Sequence, residues 1–268
     1  PGVRRLSERG PLQHGVTDVG FRLEPRTIQL VLLTHGDDPA TYFTRRDELL
    51  HIFSPRDEAI KLRFTRPDGA VRQIDCYYQD GLGLDSDERV AGPFSHKVGI
   101  TLVAPDPTWY DPVLTSINFG IAPTTGAFVV PMVVPTGVGA STLDQVKSVS
   151  YAGTWDTFPT ITVYGPITDL VLTHETTGDK LDFTGTTIAS GDYYTIETAY
   201  GNKRVYRNGN AADNRIAELS TDSDLATFRV LRKGVDAPGG VNTFRVTGSG
   251  VNQLTRLYLQ YHTRYIGV

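Results

Sequence analysis

The hydrophobic positions of this chain change period as it proceeds, and each change marks an element. After Asp37 they fall at helical spacing: Tyr42, Leu49 and Phe53 share a face with Arg46, and Leu50 widens the stripe. Asp37-Asp38-Pro39 is a helix start, a capping carboxylate for orphan N–H groups and then Pro where its missing N–H costs nothing. Ser54-Pro55 ends the helix, because the residue before Pro is pushed away from helical dihedrals. From Ile60 the period drops to two. Ile60, Leu62 and Phe64 alternate with Lys61, Arg63 and Thr65, as in a half-buried strand. Arg66-Pro67-Asp68-Gly69 is a turn, Pro setting the second position and Gly free to take positive φ. Residues 71–78 return as the second arm of a hairpin, 80–92 read as a loop or weak edge, and 98–103 as another strand.

Residues 104–112 hold three prolines and no periodicity, which predicts a domain linker or crossover anchored by Trp109 and Tyr110. Beyond Val113 no helix is predicted. Strands are expected at 128–134, 145–152, 160–164, 169–173, 180–183, 193–198, 203–207, 226–231, 242–247 and 254–265. Gly165-Pro166, Thr177-Gly178, Gly201-Asn202 and Asn208-Gly209 supply turns between several of them. Short strands cut by turns at this spacing predict a two-sheet sandwich, and the lack of a fixed repeat argues against a propeller or solenoid. The expected fold is mainly β. Residues 1–110 form a β-sandwich or split-barrel domain with one α-helix, and 111–268 a second β-sandwich.

Composition narrows the classes without changing that picture. A length of 268 residues fits one large or two modest domains, 39% hydrophobic content suffices for a core, and 21% charge excludes a disordered chain. The net charge of −4 gives no electrostatic case for nucleic acid. Arg4, Arg5 and Arg9 make a local basic patch near the start, read as an exposed flexible end. The one cysteine, Cys76, cannot form an intrachain disulfide and sits in an alternating segment, so a small buried thiol is expected. No apolar run approaches the roughly 20 residues of a membrane helix, and 129–134 is broken by Pro131. No signal peptide is visible, and a start at Pro1 without Met reads as a fragment or trimmed chain.

The residues that could carry chemistry do not group. None of His14, His35, His51, His96, His174 and His262 stands within five residues of another, unlike many zinc sites. Asp85, Asp87 and Glu88 lack the further ligands and Gly of a calcium loop. Gly137-Val138-Gly139 lacks the third glycine of a dinucleotide fingerprint, and Gly248-Ser249-Gly250 reads as a turn rather than a nucleophile elbow. Asp222 and Asp224 are the type of pair a glycosidase uses, but one of them capping a turn before Phe228 is the plainer reading. Tyr193, Tyr194, Tyr200 and Tyr206 cluster on or beside one hairpin and could stack on sugars, although strands favour Tyr anyway. The expectation is no enzyme, no catalytic residue, no cofactor and no metal.

The order of turns and strands resembles that of the distal tail proteins of siphophages. In the first region the matching features are the strand 26–33, the capped helix through Arg45-Arg46-Asp47-Glu48-Leu49-Leu50, and the hairpin with Asp68-Gly69 and Arg72. Ala104-Pro105-Asp106-Pro107-Thr108-Trp109-Tyr110 resembles the family's interdomain junction. In the second region they are Gly153-Thr154-Trp155, Pro159-Thr160-Ile161, Gly165-Pro166, Thr176-Thr177-Gly178, Gly191-Asp192 and Asn208-Gly209-Asn210. The resemblance implies a structural protein of a phage or prophage tail tip. Its first domain would build a hexameric ring and its second, galectin-like, would hang outside. As a hub or baseplate adaptor it would meet itself, the tail tube protein and the tail-tip proteins, with no nucleic-acid or membrane partner. Its place would be the virion, after assembly in the host bacterial cytoplasm. Members usually carry a strand-forming segment before the point matching Pro1, and some carry an inserted sugar-binding module that this length leaves no room for. The rival from another class is a carbohydrate-binding module that recognises cell-surface glycans, since sandwiches host both roles.

Overall fold

The computed structural model describes residues 1–82, 95–120 and 142–268. The strand expected at 128–134, the acidic trio Asp85, Asp87 and Glu88, and Gly137-Val138-Gly139 lie outside the described residues. The chain is mainly β with one α-helix, and it divides into two compact units.

The first unit comprises Pro1–Pro112 with Ile266–Val268. It opens with β1 (Val3–Glu8) and β2 (Thr17–Leu23), paired antiparallel as a sheet of their own. β3 (Arg26–His35) leads into α1 (Pro39–Ile52), followed by β4 (Ile60–Thr65), β5 (Val71–Asp80), β6 (Ser95–Ala104) and β7 (Trp109–Gly120). β5 pairs with β4 and with β6, meets β7 at Gln73 and Tyr110, and β6 carries β3 at the sheet's end. The inward positions alternate as the period-two pattern requires: Ile74 and Cys76 on β5, and Val98, Ile100, Leu102 and Ala104 on β6, are buried. The predicted turn closes β4 onto β5, with Gly69 at φ +83° donating its N–H to Arg66 O.

The second unit is Val113–Tyr265. One sheet runs in the order β11 (Lys180–Ile188), β10 (Ile167–His174), β15 (Val241–Ser249), β8 (Thr142–Ser150). The other runs β14 (Asn210–Asn214), β13 (Arg204–Arg207), β12 (Tyr193–Glu197), β9 (Thr160–Tyr164), β16 (Arg256–Tyr265), with the remainder of β7 beside β16. Leu170, Leu172, Leu181, Phe183, Phe244 and Val246 from the first sheet meet Ile161, Val163, Ile196, Val205, Leu257 and Leu259 from the second in one buried cluster. This is the expected sandwich. Its β13–β14 hairpin turns on Asn208 and Gly209, both at positive φ, the pairing that matches strand twist.

Four expectations need correction. The predicted linker at 104–112 is a strand from Trp109 onward, because a proline is tolerated wherever its missing N–H faces no ladder partner. The strand expected at 226–231 is reduced to a single bridge, Thr157 to Val230; residues before it turn back on Asp224 O instead. Arg4 and Arg5 belong to the ordered strand β1 rather than a flexible end, although both stay exposed. Asp224 does not cap a turn before Phe228 with its side chain; that carboxylate accepts from the Lys180 N–H, at the start of β11.

Candidate functional site

The sequence left the surface of the first unit unread, and there the structure concentrates unspent binding capacity. α1 begins as predicted, with Asp38 accepting from the Thr41 N–H at 3.0 Å and from its hydroxyl at 2.7 Å. These two bonds hold the Asp38 carboxyl below the usual carboxylate range. Tyr42, Arg46, Leu49 and Phe53, the predicted stripe, are partly or fully covered. Nevertheless none of the helix's own residues is fully buried. Its opposite face shows Phe43 (53% exposed), Asp47, Glu48 and Ile52 (46% exposed) to solvent. β3, at the end of its sheet, presents Val31 and Leu33 at 65% and 69% exposure, so the sheet ends in an uncovered apolar edge.

The hairpin of β1 and β2 is barer still. No residue of either strand is buried, and Val3, Val19 and Phe21 are exposed. An isolated two-stranded hairpin is marginal in water, so this one lacks the packing that usually fixes such a ribbon. Its sequence signal was present, in Val19, Phe21 and Leu23 alternating with Asp18, Gly20 and Arg22. Three glycines and a proline around the first strand (Gly2, Gly10, Gly15 and Pro11) masked it.

The candidates for chemistry prove to be structural or scattered. His174 is fully buried, its ring stacked 4.5 Å from Phe244, with Nε2 at 3.1 Å from Asn242 Oδ1 and Nδ1 at 3.0 Å from the Thr177 hydroxyl. Burial drives its pKa down to about 4, so it packs as a neutral ring. His96 is buried on β6, while His14, His35 and His51 are exposed. Among the described residues no group of three or more His, Cys, Asp or Glu side chains could hold a metal ion. Cys76 is buried, its thiol 3.3 Å from Ile60 O and pushed up in pKa mainly by burial. Asp222 lies 3.8 Å from Lys180 Nζ, and Asp224 is engaged at β11.

The four tyrosines do not form a platform. Tyr194 is buried in the core, its hydroxyl donating to Glu218 at 2.6 Å, and Tyr200 rests edge-on against Phe158. Tyr206 bonds Glu197, and Tyr193 turns to Tyr164 at 5.2 Å. A shallow cavity of about 460 Å³ lies elsewhere, lined by Tyr151, Gly153, Arg232, Lys233 and neighbouring backbone. There the Arg232 guanidinium lies 4.8 Å over the Trp155 ring, and the Arg232 backbone N–H donates to the Asp156 carboxylate.

The Gly153-Thr154-Trp155 motif acquires a physical reason. A Cβ on Gly153 would lie 2.4 Å from the Tyr151 ring, which is sealed beneath it. The Tyr151 hydroxyl donates to Trp155 O and accepts from the Arg264 N–H, locking the loop to β16.

Comparison with known proteins gives this arrangement its class. Residues 1–98 match the model of the phage tail protein RIFT-related domain, the stretch that holds the hairpin, α1 and the β3 edge. The first unit is thus similar to a phage tail domain. Along nearly the whole chain the fold is similar to that of a solved phage protein. The chain matches the crystal structure of the SPP1 Dit (gp 19.1) protein, described as a paradigm of the hub adsorption apparatus in phages infecting Gram-positive bacteria. That match has a TM-score of 0.59 at 15% identity and covers 98% of this chain and 88% of that one. No curated protein sequence matches the chain.

Proposed function

We propose that the protein is a tail hub, a non-enzymatic adaptor that links the tail tube of a siphophage or prophage to its host-recognition apparatus. The observation that carries the reading is the likeness to the SPP1 hub protein along nearly the whole chain. The match of residues 1–98 to a tail domain supports it independently. In this reading residues 1–110 close a ring of six copies, and residues 111–268 form the sandwich outside it. A ring needs heterologous contacts, each front meeting the next back, and the exposed apolar surfaces of the first unit supply material for them. The partners are further copies, the tail tube protein and the tail-tip proteins. The place is the virion's tail tip, after assembly in the host cytoplasm. No helix among the described residues is long and apolar enough to cross a membrane.

Antibodies raised against the purified chain test the placement. Gold label on intact virions should collect at the end of the tail away from the head. Label on the head, along the tail shaft, or absent from washed virions would contradict it.

A further inference from the structure

Two surfaces of the first unit have unused charge of opposite sign. On the hairpin, Arg4 stands directly across from Arg22, so the two side chains share a face. Like charges opposed in this way repel, and a marginal ribbon has little stability to spare for them. Neither arginine has an ion pair or side-chain hydrogen bond among the described residues, whereas Arg5 on the other face is neutralised by Asp18 at 2.9 Å. On α1, Asp47 and Glu48 lie on the outward face between Phe43 and Ile52, and neither has an ion-pair partner among the described residues.

We propose that the β1–β2 hairpin of one copy docks on the outward face of α1 in the next copy, Arg4 and Arg22 meeting Asp47 and Glu48. The proposal rests on the ring reading and deepens it by naming the two surfaces. The occupant is a second copy because the chain itself carries the complement in sign. Leu6 shares the arginines' face, whereas Val3 and Phe21 lie on the other face with Arg5, and Phe43 and Ile52 flank the carboxylates. Because the two surfaces differ, the contact is heterologous, and repetition of it either closes a ring or extends a filament. Docking also gives the hairpin the packing layer that it lacks. Partly screened charges carry much of the contact, so assembly weakens as salt rises.

Charge reversal tests the pairing. Sedimentation of the full chain is compared at matched concentration for the wild type, Arg4→Glu/Arg22→Glu and Asp47→Arg/Glu48→Arg. All four positions are exposed, so both variants should keep the wild-type melting profile. Each variant alone should sediment as the 29.4 kDa monomer. Mixed in equal amounts they should assemble again, because each reversed hairpin then meets a reversed helix, and each native hairpin a native one, in an alternating ring. Assembly of either variant alone at wild-type strength would overturn the pairing. So would a mixture that stays monomeric, which would assign the hairpin to another partner such as the tail tube protein. A wild-type chain that never assembles would instead sink the ring reading itself, and the pairing with it.

Discussion

His174 shows how a residue of catalytic type becomes a packing element. Its ring is enclosed by Phe244 and bonded to Asn242 and Thr177, and Asn242 in turn holds both the N–H and the C=O of Leu231. The folded pKa, about 4, lies below the unfolded value near 6.5, so the unfolded chain takes up this proton first as pH falls. Stability from a neutral His174 is therefore complete above pH 6.5 and lost between 6.5 and 4, by about 3 kcal/mol. Urea unfolding at several pH values should show a shallower decline over that window in His174→Gln than in the wild type; equal slopes would contradict the assignment. Lys203 is a second such residue. Its ammonium donates to Thr198 O, Leu225 O and Ala226 O at 2.8–3.0 Å and lies over the Phe158 and Tyr200 rings. Lys203→Met keeps the stem but deprives three carbonyls of their donor, and should cost about 2 kcal/mol by denaturant unfolding. Loss below about 0.5 kcal/mol would mean water replaces the ammonium there. Gly153→Ala should cost a similar 1–3 kcal/mol, roughly, because its Cβ collides with the Tyr151 ring.

At the scale of elements, α1 was legible because each of its signals acts locally. Asp38 caps, Pro39 starts, the Tyr42-to-Phe53 stripe repeats at helical period, and the structure returns a helix over Pro39–Ile52. Removing the cap by Asp38→Ala should lower the melting midpoint by roughly 2–6 °C, measured by circular dichroism; no shift would show that packing alone sets the helix end. The sandwich strands were equally legible, since Ile161 and Val163, or Leu257 and Leu259, alternate with polar residues within one short run. β7 was not, because Pro112 reads as punctuation unless the ladder pattern is known, and that pattern depends on distant residues such as Gln73. The segment around Phe228 failed for the opposite reason. It is apolar enough for a strand, but Phe228 and Val230 are spent as plugs of the core, held by turn bonds to Asp224 O and one bridge to Thr157. The exposed faces of the hairpin and of α1 carry no internal constraint that a single-chain pattern can report. In the proposed ring they face another copy.

The whole molecule combines a well-filled second unit with a first unit that leaves apolar and charged surface open. The buried cluster between its two sheets accounts for the solidity of the second unit, and predicts that a piece spanning Val113–Tyr265 unfolds cooperatively by itself. If that piece is soluble only when joined to the first unit, the division is wrong. The first unit's open surfaces are what the proposed ring would use. Native mass measurement of the purified chain across a concentration series tests this most directly. The account predicts a shift from the 29.4 kDa monomer to one closed species of six copies, about 176 kDa, with little between. A chain that stays monomeric at the highest concentration, or grows without a limiting size, would contradict it.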